Sequence, residues 1–195
     1  MVSVIIIFLD AERFIREAVE SVFAQSYSDW ELLLVDDGST DASTSIALDY
    51  AARFPERVRY LQHPRHENRG MSAARNLGIR AANGRFISFL DADDVWLANK
   101  LERQVEIMRA QPGAAMVYGL TSYWHSWTGR PDDLQRDFIP DLGVAPGTLV
   151  SPPTLLTLLL KSEAPTPCPS DILLRREIFD RTGLFEESFR GIYQL

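Results

Sequence analysis

Two acidic clusters dominate the chemistry that this 195-residue sequence can offer: Asp36-Asp37 and Asp91-Ala92-Asp93-Asp94. In the second, three carboxylates fall within four residues. Such groups repel one another unless a cation lies among them. Carboxylate oxygens are the ligands that hard ions such as Mg²⁺ and Mn²⁺ prefer. A Mg²⁺ site typically takes one or two carboxylates and completes its shell with substrate phosphates. The second cluster therefore suggests a metal-bridged diphosphate. A plainer alternative is a turn leading into a helix, with Asp94 as the N-cap. Taken alone, D-x-D-D does not separate the two.

The elements around these clusters decide where they sit. Residues 2–9 form a continuous apolar run, read as a buried strand. Ile15, Val19, Val22 and Phe23 then recur at helical spacing. Residues 32–35 give a second strand, which runs into Asp36-Asp37-Gly38. A helix marked by Ile46, Tyr50 and Phe54 follows, then a strand at 58–61 and an Ala-rich helix at 72–82. The fourth strand, 85–90, runs into Asp91. Leu97, Leu101, Val105 and Met108 mark the next helix, and 114–118 the next strand. Repeated βα units with continuous apolar strands imply an α/β fold, with a mostly parallel central sheet and helices on both faces. In open sheets of this kind ligands bind outside the carboxyl ends of the strands. Both acidic clusters lie there.

After Gly119 the periodicity stops. Residues 120–150 carry Trp124 and Trp127 among scattered Gly and Pro. They read as irregular structure beside a site, too aromatic to be solvated. Residues 155–160 read as a core helix, 171–174 as a strand and 177–181 as a short helix. No repeat or low-complexity tract interrupts the chain, which reads as one domain over 1–195.

Bulk properties narrow the function classes. Apolar residues make up 46% of the chain, enough for a domain-sized core. The formal net charge of −7 argues against a nucleic-acid partner held by bulk charge. It leaves a phosphate ligand open, because one metal ion reverses the local sign. The single Cys168 excludes an internal disulfide and a cysteine-cluster metal site, and it fits a reducing cytoplasm. The run at 2–9 lacks a basic leader, and neither it nor 155–160 is long enough to span a bilayer. A peripheral contact of 155–160 with the inner face of a membrane stands as the lesser alternative to burial. His63, His66 and His125 are isolated and read as surface or packing residues.

Several segments in order resemble family-2 glycosyltransferases. Residues 2–6 (VSVII) and 11–15 (AERFI) are similar to that family's opening strand and the segment after it. Residues 30–41 (WELLLVDDGSTD) match its second-strand motif. Residues 68–78 (NRGMSAARNLG) resemble its N-x-G-x-S-x-A-R-N-x-G segment, 91–94 its D-x-D-D, and 183–189 (GLFEESF) its G-x-F-(D/E)-E-x-F element. The resemblance covers nearly the whole chain. It implies the Rossmann-like GT-A fold, with a nucleotide-sugar-binding half at 1–119 and a partial acceptor-side half at 120–195. One departure is visible. The family's Pro-x-Tyr-Asn at the end of strand one is replaced by Ile7, Phe8, Leu9 and Asp10, so a stacking contact to the base is lost or moved to Phe8.

The resemblance implies roles position by position. Backbone groups of Ile7 and Leu9 would contact the base, and Asp37 would accept a base N–H, as from uracil. Asp91 would lie near the ribose or sugar, and Asp93 would coordinate a Mn²⁺ or Mg²⁺ bridging the diphosphate. Arg75 and Asn76 would contact the nucleotide or phosphates; a surface ion pair is the alternative for Arg75, and a loop cap for Asp37. Trp124 and Trp127 are an acceptor platform or core residues. The donor expected is a UDP-sugar first and a GDP-sugar second; the acceptor is a glycan, lipid or small molecule. The family's base is an Asp soon after the G-x-F-(D/E)-E element, so here it is expected beyond Leu195. Glu186 and Glu187 lie within the element and are not assigned the role. The chain thus reads as truncated, with self-association through apolar surface near 155–160 a consequence.

Three rivals remain. A sugar-1-phosphate nucleotidyltransferase would need a Gly-rich basic loop after strand one, which residues 7–11 do not offer. A D-x-D phosphatase would carry that motif on the first strand, not the fourth. The third is a nucleotide-sugar-binding remnant without turnover.

Overall fold

The structure is a computed structural model, and it describes residues 1–188. Its centre is a six-stranded sheet in the order β3-β2-β1-β4-β6-β5. The strands are β1 (Val2–Phe8), β2 (Trp30–Asp36), β3 (Val58–Gln62), β4 (Phe86–Asp91), β5 (Met116–Val117) and β6 (Leu173–Arg175). The first four run parallel, and β6 is antiparallel to both its neighbours. The helices α1 (Ile15–Phe23), α2 (Ser43–Arg53), α3 (Met71–Ala81) and α4 (Lys100–Ala110) connect the strands up to β5. Beyond β5 come α5 (Pro131–Leu134), α6 (Thr154–Leu160) and α7 (Ile178–Thr182). This is the mostly parallel α/β sheet that the sequence predicts.

The continuous apolar strands follow from having helices on both faces. All seven residues of β1 and of β2 are buried. Side chains alternate across the sheet, and β1 shows it directly. Val4, Ile6 and Phe8 enter one core with Val19, Leu34 and Leu101, while Ile5 and Ile7 enter the other with Leu33, Ala74 and Phe89. Against the second face α3 packs closely at Gly78, where a Cβ would stand 2.6 Å from Ile5 Cγ2. At the amino ends of the strands, the buried Glu31 carboxylate accepts hydrogen bonds from Ser3 Oγ (2.5 Å), the Asn83 backbone N–H (2.6 Å) and Arg59 Nη2 (2.8 Å).

Four expectations need correction. The helix after β4 begins at Lys100, so Asp94 caps nothing, and Leu97 is outside the helix and exposed. The expected strand at 114–118 shrinks to two residues. Residues 120–150 are irregular as expected, but Tyr123, Trp124 and Trp127 are exposed. Helix α6 is no core helix: it has no buried residue, and Leu156 and Leu160 face solvent. Its leucine run fixed a helical tendency, but the described residues cover it only in part, leaving Leu155, Leu158 and Leu159 half-buried. No helix among the described residues is long and apolar enough to cross a membrane.

The Gly78 contact can be tested. Gly78→Ala should lower stability by about 1–3 kcal/mol, the usual penalty for overfilling a packed site, as read from urea unfolding. An unchanged midpoint would show that Ile5 yields freely.

Candidate functional site

The parallel register delivers both acidic clusters to one edge. Phe8 pairs with Asp36 across β1 and β2, and Ile7 pairs with Asp91 across β1 and β4. The clusters thus flank the end of β1, about 9–10 Å apart at two strand spacings. The loop after β1 is laced to the loop after β2. Asp37 N–H donates to the Phe8 carbonyl (2.9 Å), and Asp10 Oδ1 accepts the backbone N–H of Thr40 (2.6 Å) and Asp41 (3.2 Å). Gly38 has φ +90° and lies against the next loop, where a Cβ would be 2.7 Å from Asn68 N. Only glycine suits both constraints.

The five aspartates differ sharply. Asp36 is fully buried. It accepts Thr44 Oγ1 (2.5 Å), Ser39 N–H (2.8 Å) and the Tyr60 hydroxyl (3.0 Å), and His66 Nε2 lies 3.1 Å away. Burial opposes its ionisation, but the hydrogen bonds from Thr44 and Ser39 outweigh it and hold the carboxyl below the usual range. Asp37 is also buried, and its two oxygens accept the backbone N–H groups of Arg69 (2.8 Å) and Gly70 (2.9 Å). Here burial wins and pushes the carboxyl up. Asp91 is half-buried and paired with Arg75 Nη2 at 2.9 Å. Asp94 turns inward to Ser170, and burial raises it. Asp93 is exposed.

The remaining expected residues divide. Arg75 is largely buried, so its pairing is no surface ion pair, and among the described residues its Nε has no hydrogen-bond partner. Asn76 is buried and ties α3 to the late element: its Nδ2 donates to the Phe185 carbonyl and to Glu187 Oε1, both at 2.8 Å, and its Oδ1 accepts Phe185 N–H at 2.9 Å. Ile7 lies inside β1, between two strands, whereas Leu9 follows it and is exposed. Phe8 is 3% exposed and belongs to the core, so it offers no face to a base. Trp127 meets Phe14 edge-on at 5.7 Å beneath Arg13, and Trp124 is exposed. Phe189, the end of the G-x-F-E-E-x-F element, and the expected base beyond Leu195 both lie outside the described residues.

Sequence reasoning read His63 and His66 as isolated surface or packing residues and so missed their places beside Asp37 and Asp36; it also passed over Ser170. His63 is buried with Nε2 3.8 Å from Asp37, and burial lowers its basicity. No spacing signalled this, because 63–66 forms an irregular turn with Arg65 and His66 at positive φ.

Among the described residues no three His, Cys, Asp or Glu side chains converge on one ion. The exposed Asp93 carboxylate offers the kind of oxygen donor that a hard cation takes together with phosphate oxygens and water.

The mostly parallel sheet, with acidic loops at the carboxyl ends of β2 and β4, has the GT-A fold of the solved glycosyltransferases on which it superposes. The sequence model described as "Glycosyl transferase family 2" matches residues 3–183, and the chain belongs to that family. It is 40% identical over 119 residues to the Escherichia coli UDP-Glc:alpha-D-GlcNAc-diphosphoundecaprenol beta-1,3-glucosyltransferase WfgD, covering 61% of this chain and 45% of that protein. It is 34% identical over 194 residues to the Bacillus subtilis glycosyltransferase EpsJ, covering 97% and 52%. The chain thus spans about half the length of these relatives. The S. aureus TarS 1–349 structure with UDP superposes with a TM-score of 0.73 at 21% identity, covering 98% of this chain and 52% of that one. The Pyrobaculum calidifontis mannosyltransferase PcManGT, with GDP-Man and Mn²⁺, gives 0.69 at 23% identity, covering 95% and 47%.

The contrast between Asp36 and Asp93 is measurable. Asp36→Ala should destabilise the fold by about 3 kcal/mol or more, since several buried donors lose their acceptor; Asp93→Ala should stay within about 0.5 kcal/mol, as exposed sites do. Because Asp36 titrates low in the fold, its contribution is complete above the ordinary carboxylate range. It is lost as pH falls through the depressed value. The gap between wild type and Asp36→Ala should therefore narrow below about pH 4, read by denaturant unfolding across pH. A gap that widens on acidification would contradict this role.

Proposed function

We propose that the carboxyl-end edge of the sheet binds a nucleoside-diphosphate sugar for transfer to an acceptor hydroxyl. The observation that carries this is the pairing of two loops across the end of β1: a buried Asp37 on one side, and the Arg75–Asp91 pair with exposed Asp93 on the other. Asp37 orders the backbone at 69–70 with one lone pair on each oxygen, and a second pair on each is left for a base N–H. Ile7 and Leu9 supply backbone beside the base. Asp91 would lie near the ribose or sugar, and Arg75, paired with it, would carry positive charge to the phosphate side. Asn76 acts on the site through Phe185 and Glu187.

Asp93 would hold Mn²⁺ or Mg²⁺ together with the diphosphate. When bound, that cation offsets charge developing on the departing phosphate. The transfer is a single displacement, with the acceptor proton taken by a carboxylate outside the described residues. Among those described, Glu187 is held by Asn76, and Glu186 accepts its neighbour Ser188 N–H.

A UDP-sugar is the first choice of donor, supported by the donor for which the E. coli relative is named. A GDP-sugar is second; the fold holds GDP-Man with Mn²⁺ in the Pyrobaculum protein. The acceptor class extends to lipid-linked glycans, for which the same E. coli name is the support. The exposed leucines of α6 then suit a peripheral contact with the membrane bearing such an acceptor.

Calorimetric titration tests the site. UDP should bind more tightly in Mn²⁺ than in EDTA, and Asp93→Ala should abolish that difference with the fold intact. Equal affinity of wild type and variant in Mn²⁺ would remove Asp93 from the site. Asp37→Ala should weaken UDP or GDP binding by about 1–3 kcal/mol, as when a buried group loses its partner. Cytosine presents an acceptor where uracil and guanine present N–H, so CDP binding as well as UDP and GDP would defeat the role of Asp37.

A further inference from the structure

Ser170 lies in the single-turn 3₁₀ helix Pro169–Asp171 and is 5% exposed. It reaches across 76 residues of sequence to the acidic turn after β4. Its hydroxyl donates to Asp94 Oδ2 at 2.5 Å and accepts the Asp91 backbone N–H at 2.9 Å. Its carbonyl accepts the Trp96 indole N–H at 2.5 Å. One buried serine thus grips residues on both sides of Asp93.

The turn that carries Ser170 is itself anchored. Gln104 Nε2, on α4, donates to the Asp171 carbonyl at 2.6 Å, and Ser88 Oγ on β4 donates to the Ile172 carbonyl at 2.7 Å. Below it, the Lys100 ammonium lies 3.9 Å from the Trp96 ring centre and donates to Ser88 Oγ at 3.0 Å. The serine is therefore a fixed point, and the acidic turn is fastened to it.

Like charges at Asp91, Asp93 and Asp94 push the turn open when nothing else restrains it. A turn that samples several paths presents Asp93 correctly only part of the time, and apparent affinity falls by that fraction. We propose that Ser170 is a positioning residue: by holding Asp91 and Asp94 it aims the intervening Asp93 carboxylate at the cation and diphosphate. This rests on the donor site proposed above.

The test measures UDP affinity of the 195-residue chain by calorimetry, in Mn²⁺ and in EDTA, and takes the ratio. Ser170→Ala should cut the Mn²⁺ enhancement by about 10-fold, the low end of what losing a direct partner of a metal ligand costs, because Ser170 holds the neighbours of Asp93 and not Asp93 itself. Affinity in EDTA should not change. Ser170→Thr keeps the hydroxyl and should keep the enhancement. Misfolded molecules lower the stoichiometry of such a titration and leave the affinity readable. If Ser170→Ala gives no folded protein, Trp96→Phe removes the tie to the Ser170 carbonyl and should reduce the enhancement in the same direction. Wild-type enhancement in the variant overturns the positioning role while leaving the donor site standing. Absence of enhancement in the wild type overturns the cation site at Asp93, and this inference with it.

Discussion

The hydrogen-bond register of β1 between β2 and β4 is the constraint on which everything at the site depends. Because the three strands are parallel, every carboxyl end falls on one edge, and residues far apart in sequence become neighbours there. A slip of one residue would exchange the faces of each strand. Ile5 and Ile6 would swap cores, and Asp36 would leave the donors that bury it. The register is held from the other end as well. Glu31, with Ser3, Arg59 and Asn83 around it, joins β2 to β1 and to the segment before β4. A polar staple at the amino ends thus fixes where the carboxylates arrive at the carboxyl ends.

Packing so many acids into one edge works because four of the five have donors of their own. Asp36 has side-chain hydroxyls, Asp37 backbone N–H groups, Asp91 an arginine and Asp94 a serine. These pairings decide which acid is structural. Two adjacent residues, Asp36 and Asp37, are driven to opposite sides of the usual carboxylate range by the balance of burial against hydrogen bonding. Lys100 shows the reverse case: burial pushes its ammonium down to about 7, while it donates to Ser88 Oγ and lies against the Trp96 ring.

Strands β1 to β4 and their helices were legible because their apolar runs and helical spacings are set by local burial on two faces. The motif order pointed to the family for a related reason: motifs carry residues that geometry restricts, such as Gly38 in the loop after β2 and Gly78 on the face of α3 that meets Ile5. Legibility failed where the determinant was distant. Asp94 looked like a helix cap until α4 was seen to start at Lys100. Asn76 looked like a phosphate contact, yet its amide is taken up by Phe185 and Glu187. Ser170 carried no local signal, since its partners lie 74 to 79 residues earlier in the sequence. The leucines of α6 show the opposite failure, for a strong local pattern says nothing about whether a surface exists to receive it.

The position of β6 has a consequence for biosynthesis. Chain order places it last among the described strands, but it is inserted between β4 and β5. A ribosome releases the chain from its amino end, and domains begin to fold as they emerge. The parallel unit β1 to β4 can therefore assemble while the outer edge of β4 still presents unpaired backbone groups, the kind of edge that invites foreign strands. Closure waits for Leu173–Arg175 to arrive and pair with Phe86, Ile87 and Ser88. The same emerging stretch brings Ser170. Sealing the vulnerable edge and tightening the acidic turn are then one late event, so a nascent chain that has not finished its sheet has not finished its ligand face either.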